Sequence, residues 1–357
     1  MEKFGFVGLP NAGKSTLFNA LAGGGAFAAP YAFATIDPNV GNAKVPDERL
    51  DALRELSNSH EAIYASVQFV DIGGLVEGAH SGEGLGNKFL SHIREVDGVV
   101  YVLRAFDAGV PGPTDPLEHL RVVELELVYA DFESCEKQLQ KRIKQARTDK
   151  EIEAQNVIAE NALKHLQEGT PLYRSSMSDE DRAEIADYFL LTNKPFMAVL
   201  NIADDQLDKA QDLAESVAKE LPGVQIVPLC VQLEAEAAQI ADKQERQEML
   251  EMLGLGKGAM PTFINSAFRM LGLRTYFTTG EKESRAWTFK AGATAPQAAG
   301  VIHGDFERGF IKAEVVSFED LMETGSWTKA REAGKLRMEG KDYIFQDGDV
   351  TEFRFNV

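Results

Sequence analysis

Residues 8–16 read Gly8-Leu9-Pro10-Asn11-Ala12-Gly13-Lys14-Ser15-Thr16. The first eight match the pattern G-x-x-x-x-G-K-[ST]. An apolar run (4–7) precedes them, and a helical pattern with Leu17, Phe18 and Leu21 on one face follows. A strand, a tight turn and a helix N-terminus together direct backbone N–H groups at a phosphate chain. The stretch therefore predicts a phosphate-binding loop in an α/β fold, and an ordinary strand-to-helix turn is the less favoured alternative.

The residue types in this loop predict separate roles. Gly8 and Gly13 permit a turn in which a side chain would clash. Lys14 would place its ammonium near the β- and γ-phosphates, and Ser15 would supply a hydroxyl ligand for Mg²⁺. The residues expected to contact the phosphates are Asn11, Ala12, Gly13, Lys14, Ser15 and Thr16.

Two later segments predict the metal and γ-phosphate side of the site. Residues 66–71 form a short apolar strand that ends in Asp71-Ile72-Gly73-Gly74, the D-x-x-G arrangement. Asp71 would lie beside Mg²⁺, with water between them, and the N–H of Gly74 would meet the γ-phosphate. Thr35, in the preceding loop, is the candidate for completing the metal shell. Leu75 stands where many P-loop proteins carry a glutamine that orients water. The candidate catalytic residues are Lys14, Thr35 and Gly74.

The base-binding side follows a predicted strand over residues 195–200, where the chain reads Asn201-Ile202-Ala203-Asp204. Guanine sites of this fold normally use N-K-x-D, in which the Asp accepts hydrogen bonds from the base and the Lys stem lies along the ring. Ile202 replaces that Lys and Asp204 keeps the carboxylate, so guanine recognition is weakened without being excluded. The residues expected at the base are Asn201, Ile202, Asp204, Cys230 and Val231.

A long polar segment with helical periodicity separates the two halves of the predicted nucleotide domain. It runs from Leu117 to about Arg147, and a second helical stretch follows a break at 148–149 and continues to Leu166. Two long charged helices with one seam each predict an inserted antiparallel coiled-coil hairpin. Two ordinary surface helices packed on the sheet are the alternative. The apolar stripe of the first helix comprises Leu120, Val123, Leu127, Ala130, Leu139 and Ile143.

The chain has 357 residues, of which 44% are hydrophobic, and a formal net charge of −19 at pH 7. This length allows two or three domains with buried cores. No apolar run approaches the roughly 18 residues of a membrane span and no signal sequence precedes the first strand, so we expect a cytoplasmic protein without a membrane partner. Cys135 and Cys230 lack C-x-x-C spacing and predict neither a disulfide framework nor a zinc site.

The negative charge excludes bulk, non-specific binding to nucleic acid, because the field of the whole molecule repels phosphates. We expect no DNA specificity, and any RNA contact requires a local basic patch. A candidate patch lies in the last 30 residues, and a solvated helix face is the alternative interpretation. Its members are Lys329, Arg331, Lys335, Arg337 and Lys341.

These motifs together resemble those of the YchF or Obg-like ATPase family, a branch of the Obg-related P-loop NTPases. The similarity lies in residues 8–16 and in the segment from Asp71 to Leu90. It continues in several C-terminal segments that resemble the family's TGS domain, a small β-rich module. These include residues 275–280, 285–288, 292–300 and 339–343.

The resemblance implies three parts and a function. The parts are an NTPase domain over 1–116 and 192–277, an inserted helical domain over 117–191, and a TGS domain over 278–357. The function is slow, Mg²⁺-dependent hydrolysis with ATP preferred over GTP, and the partner is the ribosome or ribosomal RNA. An asparagine at the position of Asn11 accompanies K⁺ in related P-loop proteins, so K⁺ is a candidate second ion.

Two departures from the family pattern affect nucleotide preference and rate. The family's base motif is usually N-x-x-E, whereas this chain ends it in Asp204, as guanine sites do. The loop after the strand that ends near Phe106 is short and lacks a histidine proposed to assist hydrolysis in the family. His119 is the nearest histidine, but it falls in the predicted helix and cannot be equated with it. Two alternatives to a slow ATPase therefore remain. One is a GTP-preferring Obg-like GTPase, and the other is a nucleotide-gated ribosome- or RNA-binding module with negligible turnover.

Overall fold

The computed structural model describes residues 1–23, 40–72, 85–109 and 113–356, without the side chains of residues 22, 23, 85–88 and 243. The chain divides into two compact units. The first comprises Met1–Asn42 and Gln68–Phe263, and the second comprises Ala43–Val67 and Ile264–Val357. Strands are numbered β1–β12 and helices α1–α14 along the described residues.

The first unit is built on strands β1 (Lys3–Val7), β2 (Val40–Lys44), β4 (Ser66–Asp71), β5 (Gly98–Arg104), β6 (Phe196–Asn201) and β7 (Ile226–Leu229). They form one sheet in the order β2-β4-β1-β5-β6-β7. The pairs β1–β4, β1–β5, β5–β6 and β6–β7 are parallel. All seven residues of β5 are buried, as expected for a parallel strand covered on both faces. The carboxyl ends of these five strands therefore lie at one edge of the sheet, where ligands bind in open α/β folds.

Helices cover this sheet. Leu120, Val123 and Leu127 pack with Tyr101 and Leu200 in a buried core between strands and helices. No helix among the described residues is both long and apolar enough to cross a membrane. The helices are α1 (Lys14–Gly23), α3 (Leu85–Arg94), α4 (Pro116–Ala146), α5 (Lys150–Gln167), α6 (Asp179–Glu184), α7 (Ala210–Glu220), α8 (Val231–Ala238), α9 (Lys243–Met252) and α10 (Met260–Met270). Short 3-10 helices lie at Leu172–Arg174, Ala186–Tyr188, Leu191–Asn193 and Asp204–Lys209.

The predicted pair of long helices corresponds to α4 and α5. Asp149 begins α5, because its side chain accepts hydrogen bonds from the N–H groups of Glu151 and Ile152. The two helices pack on each other through a core of their own, and the predicted apolar stripe is wrong for Ile143, which is 53% exposed. The seam therefore ends before the last turn of α4. Members of this core include Val128, Cys135, Leu139, Ala159, Ala162, Leu166 and Tyr188.

The second unit contains a sheet in the order β11-β10-β12-β8-β9-β3, packed around an aromatic core with Tyr276, Phe289, Phe310 and Phe345. Its strands are β3 (Glu61–Ile63), β8 (Leu273–Thr279), β9 (Glu283–Lys290), β10 (Phe310–Ser317), β11 (Arg337–Glu339) and β12 (Asp349–Phe355). Its helices are α2 (Glu48–Leu56), α11 (Ala295–Ile302), α12 (Gly304–Arg308), α13 (Phe318–Thr324) and α14 (Trp327–Glu332).

The limits of this unit differ from the expected C-terminal domain over 278–357. It begins at Ile264, inside α10, and it includes residues 43–67, which were expected in the nucleotide domain. Strand β3 pairs in parallel with β9, and the Arg49 guanidinium lies 3.0 Å from an Asp347 carboxylate oxygen. The segment is assigned to this unit because its contacts are with residues more than 200 positions away, which local sequence patterns do not reveal.

Candidate nucleotide-binding site

The predicted phosphate loop connects the carboxyl end of β1 to the first residue of α1, Lys14. Both motif glycines are required by their surroundings. A Cβ atom on Gly8 would lie 2.6 Å from the Val102 carbonyl oxygen, and one on Gly13 would lie 2.5 Å from Asn201 Nδ2. Gly13 also has φ +98°, and Asn11 has φ +62°, a region that asparagine tolerates better than most residues. The loop therefore has the tight backbone that the motif predicts.

Lys14 is buried and held by the loop. Its Nζ atom donates hydrogen bonds of 2.9 Å to the carbonyl oxygens of Gly8 and Leu9. Burial lowers the pKa of this ammonium, and the negative charge of Asp71 acts in the opposite direction. The cation is therefore fixed inside the loop before any phosphate arrives, which reduces the reorganisation that binding requires.

Ser15 and Asp71 come together as the sequence predicts. The Ser15 hydroxyl donates a 2.6 Å hydrogen bond to Asp71 Oδ2, and the register of β1 and β4 places Asp71 beside Phe6. Asp71 Oδ1 is buried and has no hydrogen-bond partner among the described residues. A hydroxyl, a carboxylate and one unsatisfied buried oxygen fit the hard-oxygen ligands that Mg²⁺ prefers. The described residues contain no cluster of three or more His, Cys, Asp or Glu side chains suited to a metal.

The remaining phosphate-side predictions have different outcomes. Asn11 and Thr16 are exposed and Ala12 is buried. Thr35 and Gly74, together with Leu75, lie outside the described residues. Their predicted roles stay predictions.

Asn201 connects the phosphate loop to the base side. Its Nδ2 atom donates to the Ala12 carbonyl oxygen at 2.9 Å, and its Oδ1 atom accepts from the Val231 N–H at 3.3 Å. With 5% of its surface exposed, it has little surface left for a base. The amide therefore holds two loops together, and the contacts of the phosphate loop extend across β6 and α8.

The other residues expected at the base mostly face the interior. Ile202, Cys230 and Val231 are 2%, 3% and 1% exposed, because the apolar ends of β6 and β7 continue into the core. Burial also raises the pKa of the Cys230 thiol. The side chains of these three residues are therefore buried, and their predicted contacts with a base stay predictions. Asp204 is exposed, and its Oδ1 accepts from the N–H of Asp205 at 2.9 Å.

His119 lies against the predicted phosphate loop, which the sequence did not indicate. It lies in the first turn of α4 and is 2% exposed. Its Nε2 atom is 3.0 Å from the backbone N of Leu9, inside the phosphate loop, and its Nδ1 atom is 3.1 Å from the backbone N of Arg104. Both partners are backbone groups, 110 and 15 positions away. Because a backbone N–H is present at nearly every position, the residue types of these partners could not reveal the contacts in the sequence.

The predicted basic patch of the second unit is largely neutralised. Arg331 lies 3.1 Å from Glu314, Lys335 lies 2.9 Å from Asp320, and Arg337 lies within 3.5 Å of Glu339 and Asp349. Lys329 and Lys341 are exposed and have no ion-pair partner in the described parts of the chain. Three of the five cations are therefore already paired within the protein.

Known proteins resemble this chain over nearly its whole length. A family model described as a 50S ribosome-binding GTPase matches residues 3–146, and the YchF-GTPase_C model, described as a protein of unknown function, matches residues 273–356. The chain is 44% identical over 364 residues to the ribosome-binding ATPase YchF of Bacillus subtilis, covering 99% of each chain. It is 46% identical over 367 residues to the same protein of Haemophilus ducreyi, again covering 99% of each.

A solved structure gives the same result for the fold. The structure of the Schizosaccharomyces pombe YchF GTPase is 34% identical and superposes with a TM-score of 0.86, covering 99% of this chain and 97% of that one. The first unit thus has the P-loop GTPase-like α/β fold. On the basis of these full-length similarities, the chain belongs to the YchF family.

Proposed function

We propose that this protein binds ATP with Mg²⁺, hydrolyses it slowly, and acts as a nucleotide-dependent switch on ribosomes. The observation that carries the proposal is the arrangement of Lys14, Ser15 and Asp71 at the carboxyl ends of β1 and β4. It combines a fixed ammonium for the β- and γ-phosphates with a hydroxyl and a carboxylate for the metal. Lys14 and the loop amides would stabilise the charge on the transferred phosphoryl group.

The metal would bind through this chain's own oxygen atoms. When bound, Mg²⁺ would neutralise negative charge on the nucleotide phosphates. Ser15 would donate its hydroxyl oxygen directly, Asp71 would act through water, and Thr35 would complete the shell. The unsatisfied Oδ1 of Asp71 supports this assignment. Asn11 would contribute to a K⁺ site beside the phosphates, and the activity in K⁺ compared with Na⁺ tests that assignment.

The proposal of slow turnover rests on the sequence, in which Leu75 follows the D-x-x-G motif. Leu75 cannot hold an attacking water, since its side chain is aliphatic. Single-turnover hydrolysis of ATP tests the enzymatic part of the proposal. We expect slow but measurable hydrolysis by the wild-type chain and none above background by the Lys14→Ala variant. Equal rates for the two proteins would contradict the assignment, and no hydrolysis by either would favour the binding-module alternative.

The preference for ATP over GTP is supported by the names of the Bacillus subtilis and Haemophilus ducreyi relatives, which are called ATPases. The absence of a lysine at Ile202 is consistent with weak guanine selection. Asp204 retains the carboxylate of guanine sites and is exposed, which keeps the GTPase alternative open. Side-by-side affinities for ADP and GDP decide between them, and a strong GDP preference that is lost in Asp204→Ala would reverse our choice.

A ribosomal partner is supported by the same names, and the last turns of α4 provide a surface suited to RNA phosphates. Lys137, Lys141, Lys144 and Arg147 are exposed and form no ion pair within the described residues. The three lysines repeat at intervals of four and three, so they share one face of the helix. Carboxylates of residues 133, 136, 149, 151 and 153 are close to these lysines in the sequence, so the surface would act locally, in a protein of net charge −19.

Co-sedimentation with ribosomes tests this surface and the switch together. We expect different pelleting with ADP and with a non-hydrolysable ATP analogue. The triple change Lys137→Glu, Lys141→Glu and Lys144→Glu should reduce pelleting, since it replaces phosphate-binding cations by anions. A control with the same charge change at the exposed Lys164, Lys209 and Lys219 should pellet like wild type. Equal pelleting of both triple variants would exclude the α4 surface, and equal pelleting in both nucleotide states would exclude the switch.

A further inference from the structure

Two backbone N–H groups face the ring nitrogens of His119, but the neutral ring has only one nitrogen that can accept a hydrogen bond. The N–H of Leu9 points at Nε2 and the N–H of Arg104 points at Nδ1, at 3.0 and 3.1 Å. A neutral imidazole has one nitrogen lone pair and one N–H, so it can accept from only one of these groups at a time. Burial, together with the charges of Arg104 and Lys14, lowers the pKa of this imidazole to about 4, so the ring is neutral near pH 7.

The contact to Leu9 bears directly on the phosphate loop. The N–H of Leu9 is directed at His119, and the carbonyl oxygen of Leu9 accepts one of the two hydrogen bonds from the Lys14 ammonium. The position of Leu9 therefore connects the imidazole to the cation that would bind the β- and γ-phosphates. A displaced Leu9 would carry one of the two carbonyl anchors of Lys14 with it.

We propose that His119, in the tautomer with its lone pair on Nε2, is a positioning residue for the phosphate loop, because it fixes Leu9 and, through the Leu9 carbonyl, the ammonium of Lys14. His119 does not touch the nucleotide in this assignment. The inference rests on the proposed function, since it concerns the same nucleotide site. The competing explanation is that His119 only fills space in the core, as many buried histidines do.

A series of substitutions that differ in the number of acceptor atoms separates these explanations. His119→Leu offers no acceptor, His119→Asn offers one oxygen, and His119→Asp offers two. Positioning by hydrogen bonds predicts that affinity for Mg²⁺-ADP rises in that order, with the Asp variant at least equal to wild type. If His119 only fills space, the order should be reversed, since Leu would be tolerated best and a buried carboxylate worst.

The experiment measures the dissociation constant of Mg²⁺-ADP by calorimetry on the full chain, together with the thermal unfolding midpoint of each variant. We expect His119→Leu to weaken binding at least fivefold and His119→Asp to bind at least twofold more tightly than His119→Asn. The exposed neighbour Glu118 provides the control, and Glu118→Ala should bind like wild type. If His119→Leu fails to fold, the comparison of the Asn and Asp variants still decides the question.

Equal dissociation constants across the series, or a Leu variant that binds best, would overturn the assignment of His119. Failure of the proposed function would be recognised separately. In that case the wild-type chain would not bind Mg²⁺-ADP, or Lys14→Ala would bind it as tightly as wild type.

Discussion

Lys14 is buried and held by two carbonyl oxygens of its own loop. Asp204, on the base side, is exposed, and its Oδ1 accepts a hydrogen bond from the neighbouring Asp205 N–H. The residues around Lys14 and around Asp204 also differ. Ser15 and Asp71 form a direct hydrogen bond on the phosphate side, and Ile202 is buried in the core on the base side. In the proposed site, phosphate recognition would therefore be preorganised by side-chain and backbone contacts. In the proposed site, base recognition would be left to one exposed carboxylate and to backbone groups.

This difference indicates how the site would divide the binding energy. Charge-assisted hydrogen bonds in a fixed loop are stronger than contacts of an exposed side chain, which exchanges partners with water. We therefore expect changes on the phosphate side to weaken all nucleotides alike and changes on the base side to alter only the preference among them.

The largest effect is expected for Ile202→Lys, which restores the guanine-type N-K-x-D motif. A simple motif argument predicts tighter GDP binding. Since Ile202 is 2% exposed, we instead expect the buried ammonium to lower the free energy of unfolding by about 3–4 kcal/mol. Urea unfolding of both proteins measures this, with exposed Lys209→Ile as a control that should stay close to wild type. A stable variant with improved GDP affinity would show that the base side is more adaptable than its burial indicates.

A smaller effect is expected for Asn201→Ala, at the junction of the two sides. The substitution removes the hydrogen bonds to Ala12 and Val231, each worth about 0.5–1.5 kcal/mol, so affinity should fall by roughly 5–150-fold. Because these contacts position the loop, ADP and GDP should lose the same factor in calorimetric titrations. Asn161→Ala, at an exposed position of α5, serves as the control. A loss confined to one of the two nucleotides would assign Asn201 to base recognition.

Phosphate-side contacts could be predicted from the sequence because the motif spacing encodes them. Lys14 and Ser15 lie within one loop, and Asp71 ends the strand that pairs with the strand before that loop. His119 could not be predicted, since its partners are backbone groups of residues distant in the sequence. The burial of Ile202 depends on the core that β6 and β7 enter, which a four-residue motif does not specify.

The structure differs from the sequence-based predictions where a residue's role depends on neighbours that are distant in the sequence. The basic residues near the C-terminus cluster in the sequence, yet Arg331 and Lys335 find carboxylates of Glu314 and Asp320 in the fold. Helical periodicity placed Ile143 on a buried stripe, but the partner helix no longer covers it near the end of α4. In both cases local patterns give the residue types, and the fold decides what those residues contact.

The smallest effect is expected for Asp204→Ala. An exposed carboxylate contributes about 0.5–1.5 kcal/mol, so GDP affinity should fall by roughly 2–10-fold while ADP affinity stays constant. Parallel titrations with both nucleotides measure this change, and the adjacent Asp205→Ala is the matched control. A fall in ADP affinity as large as that for GDP would show that Asp204 supports the site structurally and does not select the base.

The most direct test of the contrast is a set of four dissociation constants, those of Mg²⁺-ADP and Mg²⁺-GDP for wild type and for Lys14→Ala. Losing the buried, charge-assisted contact should weaken both nucleotides by roughly 10–100-fold. We predict that this loss exceeds the ratio between the ADP and GDP constants of the wild-type protein. A wild-type preference for one nucleotide larger than the effect of Lys14→Ala would contradict the conclusion that the phosphate side dominates binding.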